Sequence, residues 1–306
     1  MIRITHKNHT LRTAIAKATV LVGSVDTIEA IKNQTVPKGN VLEAARVAGL
    51  FAAKNTSAVI PDCHPLPIEF TEIRFEILDQ SIEIEVEIQT IYKTGVEVEA
   101  MHAASVVALT MYDMLKPIDK EIEIQQIKLL KKTGGKSARK YPVKSEIISS
   151  IIVCSDTISE GSKTDKAGLI IQQKLIGFGL NANNYTIIPD EILVLQDLVK
   201  KQVSQGIQLI IVTGGTGVSP RDTSPEAISP LIERRMPGIE EAIRSYGQQR
   251  TPYAMLSRSV VGFIGESLIM VLPGSTNGAS ESMDAVFPAI LHIFDVLKAF
   301  KHDESV

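Results

Sequence analysis

Hydrophobic and polar residues of the first half follow the periods of strands and helices. The stretch SIEIEVEIQT (81–90) alternates isoleucine or valine with glutamate, which predicts a half-buried strand. TEIRFEIL (71–78) alternates in the same way, so the two stretches predict an antiparallel hairpin. Helical spacing predicts a helix over 41–56 and another over 97–115, which ends before Pro117. We therefore expect an α+β domain with helices on one face of a half-polar sheet.

The second half has continuous apolar runs instead of alternation. IISSIIVC (147–154) and QLIIVT (208–213) are typical of strands that are buried on both faces. Helical spacing over 166–179 follows the first run, and the strand YTII (185–188) precedes a helix that ends near Gln205. Strands that alternate with helices predict a mostly parallel sheet in a three-layer α/β/α domain.

The segment KKTGGKSARKYPVKSE (131–146) separates the two patterns. It is rich in glycine, lysine and serine and has no hydrophobic periodicity. We place a domain boundary at Pro142, which gives domains over 1–142 and 143–306. The alternative is a solvated loop within one domain.

Composition and charge narrow the functional class. The chain has 306 residues, 44% hydrophobic and 22% charged, which is ordinary for two globular domains. A formal net charge of −3 without an extended basic run argues against a nucleic-acid partner. The sequence has no apolar run of membrane-spanning length and no signal-peptide pattern, and Cys63 and Cys154 lie far apart. We therefore expect a cytoplasmic protein without a membrane partner.

Polar residues of the first half concentrate at four places. They are Lys38 before the first helix, Cys63 and His64 in the loop IPDCHPLP, Glu97 and Glu99 where the second helix begins, and Asp113 and Lys116 where it ends. On a helix, Glu99, His102 and Asp113 lie within roughly 60° of each other. Taken singly, the glutamates and the lysine also fit stabilisation of the helix dipole.

The pair Cys63-His64 allows three interpretations: a metal site, an activated thiol, or a rigid loop that offers an imidazole to a ligand. Adjacent side chains on a proline-stiffened loop tend to point apart, and no CxxC or HxxxH pair occurs elsewhere, which disfavours a metal site. A nucleophile needs a base and a lowered thiol pKa, and the sequence indicates neither. We prefer the ligand-binding loop.

The motifs of the first half carry a family resemblance. KGNVLEAARVAGLFAAKNT, IPDCHPL, KTGVEVEAMHAASVVALTMYDMLKPIDK and GGKSA occur in this order. Together they strongly resemble the MoaC family, the cyclic pyranopterin monophosphate synthases of molybdenum cofactor biosynthesis. The resemblance implies a ferredoxin-like α+β subunit that forms a hexamer with active sites at subunit interfaces. It also implies conversion of 3′,8-cyclo-7,8-dihydro-GTP to cyclic pyranopterin monophosphate and pyrophosphate, with no required cofactor.

This resemblance also implies roles for single residues. By motif, Lys38, Asp113 and Lys116 are catalytic. The residues implied to line the substrate are Asp62, Cys63, His64, Glu97, Val98, Glu99 and, near phosphate, Lys136. Ring opening and closure need proton transfers, which a lysine desolvated near a second cation can make near neutral pH. Cationic groups also stabilise a leaving pyrophosphate.

Three residues of the first half depart from the usual family pattern. Asn40 stands where aspartate is usual, Asp62 where leucine is usual, and His102 where threonine is common. Asp62 adds a negative charge beside a phosphorylated substrate. His102 also fits a hydrogen-bonded residue of the helix.

Glycines and carboxylates follow the predicted strands of the second half. The run 208–213 leads directly into the glycines Gly214, Gly215 and Gly217. Such a loop lets backbone amides approach phosphate, and a tight turn is the alternative. Asp156, Asp190 and Asp222 each follow a strand, so they predict an oxygen-ligand site for Mg²⁺, with helix capping as the alternative for any one of them.

A second resemblance covers the chain from about residue 147 onward. SDT, IPDE, TGGTGVSPRDTSPEA, PGIEEAIR and TPYAMLSRSVVGFIGESLIMVLPGS resemble the MoaB/MogA family of molybdopterin adenylyltransferases. This implies a trimeric or hexameric α/β/α protein that uses ATP with Mg²⁺ to join AMP to the phosphate of molybdopterin. Asp190 and Asp222 take catalytic or metal-holding roles. The implied ligand-lining residues are Asp156, Gly214, Gly215, Thr216, Gly217, Ser257, Arg258, Gly274 and Ser275.

The two resemblances together predict a bifunctional enzyme with pterin and nucleotide substrates. The product of the first reaction is not the substrate of the second, because dithiolene sulfur is inserted between them. We therefore expect a homo-oligomer that carries both activities rather than direct channelling. The alternative is a second domain that binds pterin as a scaffold without catalysis.

Overall fold

The protein separates into two compact units, Met1–Lys140 and Tyr141–Val306, each with its own hydrophobic core. The structure is a computed structural model that describes residues 1–135 and 147–303. The predicted boundary at Pro142 lies outside the described residues. None of the helices in the described ranges has the length and apolarity that crossing a membrane requires.

The first unit is an antiparallel four-stranded sheet with helices packed on one face. Its strands are β1 (Thr10–Leu21), β2 (Phe70–Ile77), β3 (Ser81–Tyr92) and β4 (Glu123–Thr133), in the order β2-β3-β1-β4. Its helices are α1 (Val25–Lys32), α2 (Val41–Lys54), α3 (Thr56–Val59) and α4 (Glu97–Leu115). The predicted hairpin and both predicted helices are confirmed, with ends that differ by up to two residues.

Small side chains let α4 lie close to the sheet. The apolar positions of β3 are all 0% exposed, as the alternation predicted: Ile82, Ile84, Val86 and Ile88. Alanines occupy the facing positions of β1 and α4, namely Ala14, Ala16, Ala18, Ala100, Ala103, Ala104 and Ala108, and all are 0% exposed. Close packing along its length fixes α4 against the sheet, so both of its ends have defined positions.

The departure at Asn40 has a structural role. Asn40 is the N-cap of α2, and its side-chain oxygen accepts a hydrogen bond from the Glu43 backbone amide at 3.1 Å. Asparagine and aspartate are about equally good N-caps. The change from the usual aspartate therefore preserves the start of α2 and the backbone around Lys38.

The second unit is a six-stranded sheet between two helical layers. Its strands are β5 (Ile148–Cys154), β6 (Asn181–Ile188), β7 (Leu209–Thr213), β8 (Arg234–Arg235), β9 (Val260–Ile264) and β10 (Ser267–Leu272), in the order β6-β5-β7-β10-β9-β8. Its helices are α5 (Asp156–Ser159), α6 (Ala167–Gly177), α7 (Ile192–Ser204), α8 (Ser224–Ile228), α9 (Pro237–Gln248), α10 (Thr276–Val286) and α11 (His292–Asp303).

Alternate residues of the parallel strands enter two different cores. Ile151 and Val153 of β5 pack in the core that includes α6 and α10. Ile152 and Cys154 pack in the core that includes α7 and α8. The predicted parallel, three-layer arrangement is confirmed for β5, β6 and β7. A fourth parallel strand, β10, pairs with β7 and was not predicted. The antiparallel edge formed by β9 and β8 was not predicted.

A close helix–sheet approach at Gly168 provides a test of this packing. A Cβ on Gly168, in the first turn of α6, would lie 2.6 Å from Val153 Cγ2, whereas a Cβ on Gly177, at the end of the same helix, would meet nothing within 4 Å. We expect Gly168→Ala to lower the free energy of unfolding by about 1–3 kcal/mol. Gly177→Ala should leave it unchanged or raise it by up to about 1 kcal/mol. Urea unfolding of the full chain measures both, and equal effects would contradict the packing described.

Candidate active sites

Two lysines enclose one carboxylate at the C-terminal end of α4. Lys38 Nζ donates to Asp113 Oδ2 at 2.6 Å and to the Asp113 carbonyl at 2.8 Å. Lys116 Nζ lies 2.8 Å from Asp113 Oδ1, one helical turn away. Hydrogen bonds from Lys116 and then Lys38 lower the pKa of Asp113 to about 2. The structure thus brings together the three predicted catalytic residues as an exposed group with a net charge of +1 at neutral pH.

The protonation of Lys116 differs from the expectation. A lysine that is desolvated beside a second cation should have a lowered pKa. In the structure the Asp113 carboxylate lies between the two lysines, and its hydrogen bond raises the pKa of Lys116. Lys116 is therefore a cation in this state, which suits phosphate binding and proton donation better than proton abstraction.

A buried carboxylate and a thiol meet at the N-terminal end of α4. Cys63 Sγ donates to Glu99 Oε1 at 3.0 Å. Glu99 is only 2% exposed, and its second oxygen, Oε2, is buried without a hydrogen-bond partner. Burial raises the pKa of Glu99 above its usual range. A buried acceptor left unpaired is costly, so this oxygen is a candidate for proton exchange or for binding a donor from a ligand.

The environment of Cys63 distinguishes between the interpretations of its loop. Burial, followed by the hydrogen bond to Glu99, raises the pKa of Cys63 to about 12. The group is a neutral thiol at physiological pH, so it lacks the thiolate that a nucleophile requires. Within the part of the chain that the structure describes, no group of three or more His, Cys, Asp and Glu residues could hold a metal ion. These findings favour the ligand-binding loop.

His64 and Asp62 both contact the first two residues of the chain. His64 Nε2 lies 2.8 Å from the carbonyl oxygen of Ile2, to which it donates. Asp62 Oδ1 accepts from the Met1 amino group at 2.9 Å, and this hydrogen bond lowers the pKa of Asp62. The unusual negative charge of Asp62 therefore has a positive partner in this structure. Both side chains remain at the surface beside Cys63.

Two basic residues near Glu97 were not identified from the sequence. Lys132 Nζ lies 3.4 Å from Glu97 Oε1. Arg12 donates to the Tyr92 carbonyl at 3.2 Å, and burial lowers its pKa while the charge of Glu97 acts in the opposite direction. Arg12 lies on β1 and Lys132 on β4, and these strands pair with each other. Neither residue belongs to a sequence motif, so only the pairing of the strands reveals that they are close to Glu97. Val98 lies at the same end of α4 with 41% of its side chain exposed, and Lys136 lies outside the described residues.

The predicted site residues of the first unit therefore form two groups. Asp113 and Glu99 lie on the same helix, but fourteen residues separate them. At 1.5 Å per residue, they are about 21 Å apart along the axis. Their similar angle around the helix does not place them in one pocket. Groups that act on the same reacting atoms must be within hydrogen-bond reach of them, so the two groups of one chain cannot do so.

The second unit pairs two aspartates at the ends of neighbouring parallel strands. The backbone amide of Asp156 donates to Asp190 Oδ2 at 3.1 Å, and the amide of Asp190 donates to Asp156 Oδ1 at 3.0 Å. Arg221 donates to the other oxygen of Asp156 from Nη2 at 2.6 Å and Nε at 3.0 Å. Its hydrogen bonds lower the pKa of Asp156. Asp156 thus joins the ends of β5 and β6 to the loop that follows β7.

Asp190 has the opposite environment. Its Oδ1 atom is buried without a hydrogen-bond partner, close to Gly215 and Ser224. Burial raises its pKa, and the negative charges of Asp156 and Asp222 act in the same direction. The structure therefore brings the three predicted carboxylates together, and only Asp190 combines a raised pKa with a buried oxygen that has no partner.

The glycine loop after β7 is shaped by close backbone approaches. Gly214 has φ of +108°, and its Cα would lie 2.9 Å from a Cβ on Gly274. Any side chain at Gly214 would also collide with the Cys154 carbonyl. A Cβ on Gly217 would lie 2.8 Å from Asp222 Oδ2, which accepts from the Ser219 amide at 2.9 Å. The glycines thus allow the loop to lie between β5 and the loop after β10, with Asp222 folded onto it.

Arg258 holds this loop from the segment before β9. Its Nε donates to the Gly217 carbonyl at 2.8 Å, and its backbone amide donates to the carbonyl of Thr216, a buried residue, at 3.0 Å. Nη2 donates to the Asp222 carbonyl at 2.5 Å, and Nη1 pairs with Glu226. The guanidinium of Arg258 thus fixes the glycine loop, and its implied role in lining a ligand stays a prediction.

The remaining predicted residues line two cavities. One, of about 350 Å³, is bordered by Ser257 and Ser275 together with Arg244, Arg250 and Tyr253. The other, of about 420 Å³, is bordered by Gly274 and Ser275 together with Lys163 and Lys166. The side chain of Ser275 also caps α10 by accepting from the Gly278 amide at 3.1 Å. The arginines and lysines were not identified from the sequence, because no motif marks them.

The carboxylates fit a cation site only in part. We expected Asp156, Asp190 and Asp222 to ligate Mg²⁺ together. The Asp190 amide and Arg221 donate to the two oxygens of Asp156, so a cation there would share each oxygen with a hydrogen bond. The buried Oδ1 of Asp190 fits a hard cation, which prefers one or two carboxylates plus phosphate oxygens.

These features define the class of protein. The first unit has two lysines that suit phosphate at one end of α4 and a buried carboxylate with a raised pKa at the other. The second unit places such a carboxylate beside a glycine loop. Both combinations occur in enzymes that act on phosphorylated substrates. The MoaC family model matches residues 1–135, and the model described as "Probable molybdopterin binding domain" matches residues 150–292.

Similar proteins of known name cover one or both units. The molybdenum cofactor biosynthesis bifunctional protein of Chlorobaculum tepidum is 42% identical over 99% of this chain and 96% of its own length. The cyclic pyranopterin monophosphate synthase of Nitratidesulfovibrio vulgaris is 48% identical over 45% of this chain and 86% of its own length. The solved structure of the molybdopterin biosynthesis enzyme MoaB from Thermus thermophilus is 36% identical over 50% of this chain and 97% of its own, with a TM-score of 0.48. The chain belongs to the family of bifunctional molybdenum cofactor biosynthesis proteins, in which a MoaC domain precedes a MoaB/MogA-type domain.

Proposed function

We propose that the two units catalyse two separate steps of molybdenum cofactor biosynthesis. The first, over residues 1–142, converts 3′,8-cyclo-7,8-dihydro-GTP to cyclic pyranopterin monophosphate and pyrophosphate. The second, over residues 143–306, transfers AMP from ATP to molybdopterin. The group Lys38–Asp113–Lys116 is the observation that carries the first activity, since it offers two cations to a substrate that loses pyrophosphate. The strand order of the first unit, with two helical crossovers, supports a ferredoxin-like fold.

In the first unit, the charged groups take different parts of the chemistry. Lys38 and Lys116 bind the phosphates and stabilise the leaving pyrophosphate, and Lys116 can donate a proton because it is cationic. Glu99 exchanges a proton at Oε2, since its raised pKa makes both protonation states accessible nearer neutral pH. The opening and closure of the ring involve no net redox change, so we propose that this step needs no cofactor.

The separation within the first unit supports a site shared between copies of the chain. The groups at the two ends of α4 lie about 21 Å apart, so one copy cannot present both to the same reacting atoms. In a homo-oligomer, the C-terminal group of one copy can face the N-terminal group of another. We therefore propose a trimer or hexamer whose first active site lies between subunits.

In the second unit, the residues around the glycine loop hold the nucleotide. Asp190 Oδ1 and Asp222 would hold Mg²⁺, which would supply positive charge to the phosphates of ATP. Backbone amides of Gly214–Gly217 bind phosphate, and the cavity bordered by Ser257 and Ser275 accommodates the pterin. Arg258 keeps the loop in place through its contacts with the loop carbonyls.

A second candidate function for this unit is pterin binding without catalysis. The position of Arg221 favours it, because a guanidinium bonded to Asp156 competes with a cation for that carboxylate. The described cavities would still bind a pterin. A wild-type chain that binds pterin and transfers no AMP would therefore have the second function and not the first.

We also propose a cytoplasmic location. Cys63 and Cys154 are both free thiols. Two cysteines that form no disulfide are typical of a protein in a reducing compartment.

The first activity predicts a specific dependence on Lys116. In the full chain, Lys116→Ala should lower kcat for cyclic pyranopterin monophosphate formation by at least about 100-fold, because it removes a proton donor and a phosphate-binding cation. Lys120→Ala, at an exposed position four residues further on, is the matched control and should retain activity. Substrate turnover with quantified pyrophosphate measures both. Equal rates for the two variants would show that Lys116 has no role in the reaction.

The second activity predicts a dependence on Asp222. Asp222→Ala should lower the rate of AMP transfer to molybdopterin by about 100-fold while pterin binding persists, since Asp222 acts on the nucleotide. Asp197→Ala, at an exposed position of α7, is the control and should transfer AMP normally. An unchanged rate in Asp222→Ala would refute its role. A wild-type chain that binds pterin but transfers no AMP would establish the scaffold function instead.

A further inference from the structure

The segment 56–63 is attached to α4 at both of its ends by side-chain hydrogen bonds. At its start, His102 Nδ1 lies 3.1 Å from Thr56 Oγ1. At its end, Cys63 Sγ donates to Glu99 Oε1 at 3.0 Å. Glu99 and His102 are three residues apart and therefore neighbours on the helix surface. One turn of α4 thus holds both ends of the segment that leads into His64.

The direction of the first hydrogen bond follows from the partners of Thr56. Its hydroxyl donates to the carbonyl oxygens of Ala52 and Ala53, at 3.0 and 3.2 Å. A hydroxyl has one proton, so Thr56 Oγ1 accepts from the imidazole, and His102 carries a proton on Nδ1. Thr56 is 1% exposed, which shields this hydrogen bond from competing water.

Backbone hydrogen bonds connect the two ends of the segment. The amide of Ile60 donates to the Thr56 carbonyl at 2.9 Å, and the amide of Cys63 donates to the Ile60 carbonyl at 3.1 Å. These backbone bonds transmit the position of one end to the other. Every side chain from Ala58 to Asp62 is exposed, so the segment has no buried apolar anchor between its ends. The side-chain contacts that hold it are the two attachments to α4 and the hydrogen bond from the Met1 amino group to Asp62, which is exposed.

We propose that His102 is a positioning residue for the reaction of the first unit: by donating to Thr56 it fixes the start of the 56–63 segment on α4 and thereby holds Cys63 and His64 at the substrate. This rests on the proposed function of the first unit. His102 acts through Thr56 and the backbone of the segment. Its loss leaves Cys63 held only by Glu99, so the thiol should leave its contact more often.

Alkylation of Cys63 tests the positioning without requiring any activity. The chain has only two cysteines, and Cys154 is 3% exposed, so mass spectrometry of the two peptides gives a reporter and an internal control. In the full chain, His102→Ala should raise the rate of iodoacetamide modification of Cys63 by about fivefold, as expected for one lost hydrogen bond, with Cys154 unchanged. His102→Asn places an amide donor near the position of Nδ1 and should restore the slow rate.

Two further variants test whether the donor acts through Thr56. Thr56→Val keeps the shape of the side chain but removes the acceptor, and should also accelerate modification of Cys63. Thr56→Val also removes the bonds to the Ala52 and Ala53 carbonyls, so the informative comparison is within that variant. There, His102→Ala should add little, because its acceptor is already absent. Ser105→Ala, whose hydroxyl bonds only to the Met101 carbonyl of its own helix, is the matched control on α4 and should behave as wild type.

Kinetics on the same variants connect positioning to the reaction. We expect KM for the cyclised GTP substrate to rise by about fivefold in His102→Ala, with a smaller change in kcat, and to recover in His102→Asn. Unchanged alkylation in a folded His102→Ala chain would overturn the proposal, as would His102→Asn that behaves like His102→Ala, or multiplicative effects in the double variant. If the wild-type chain formed no cyclic pyranopterin monophosphate, the proposed function would fail, while the alkylation rates would still decide whether His102 fixes the segment.

Discussion

The length and rigidity of α4 constrain the whole first unit. The helix packs along the sheet through small side chains, and its two ends carry the two groups of charged residues that the sequence predicted to act together. Asp113 is held by lysines at one end, and Glu99 is buried against Cys63 at the other. Because the helix fixes these groups about 21 Å apart, the proposed chemistry requires a second copy of the chain. The proposed assembly of subunits therefore rests on the length of this helix.

Burial and neighbouring charge give carboxylates of both units contrasting properties. Asp113 and Asp156 are hydrogen bonded to cationic side chains, which lower their pKa values and make them fixed anions that position lysine or arginine. Glu99 and Asp190 are desolvated, and each has a buried oxygen without a partner, so burial raises their pKa values. One type of carboxylate organises a site and the other is available to a proton, a cation or a ligand. Opposite environments for similar groups are a common basis for acid–base roles.

Sequence patterns predicted the elements that depend on local periodicity. The hairpin of β2 and β3, the helix α4 and the parallel core strands all follow from spacing of apolar residues. The motifs also placed Lys38 with Asp113, although 75 residues separate them. The edge strand β8 was missed because its two residues, both arginine, give no periodic or apolar signal.

The electrostatic details could not be predicted in this way. Lys132 reaches Glu97 only because β4 pairs with β1. Arg221, in the loop after β7, reaches Asp156 because that residue follows the neighbouring strand β5. The expectation of a lysine with a lowered pKa failed at Lys116, because the position of the intervening carboxylate decides the sign of the shift. For Cys63, the sequence left three interpretations, and its burial against Glu99 is what identifies a neutral thiol. Contacts between distant residues and the degree of burial determine these properties.

A subunit-mixing experiment tests most directly whether the first active site is shared. Chains with Lys116→Ala and chains with Glu99→Gln carry defects at opposite ends of α4 and should each be nearly inactive in cyclic pyranopterin monophosphate formation. Co-assembled in equal amounts, they should recover up to about a quarter of wild-type activity, because some interfaces then combine two intact ends. A chain with both substitutions, mixed with either single variant, serves as the control and should recover none. Mixed assemblies that show no more activity than the separate variants would contradict a site formed between copies.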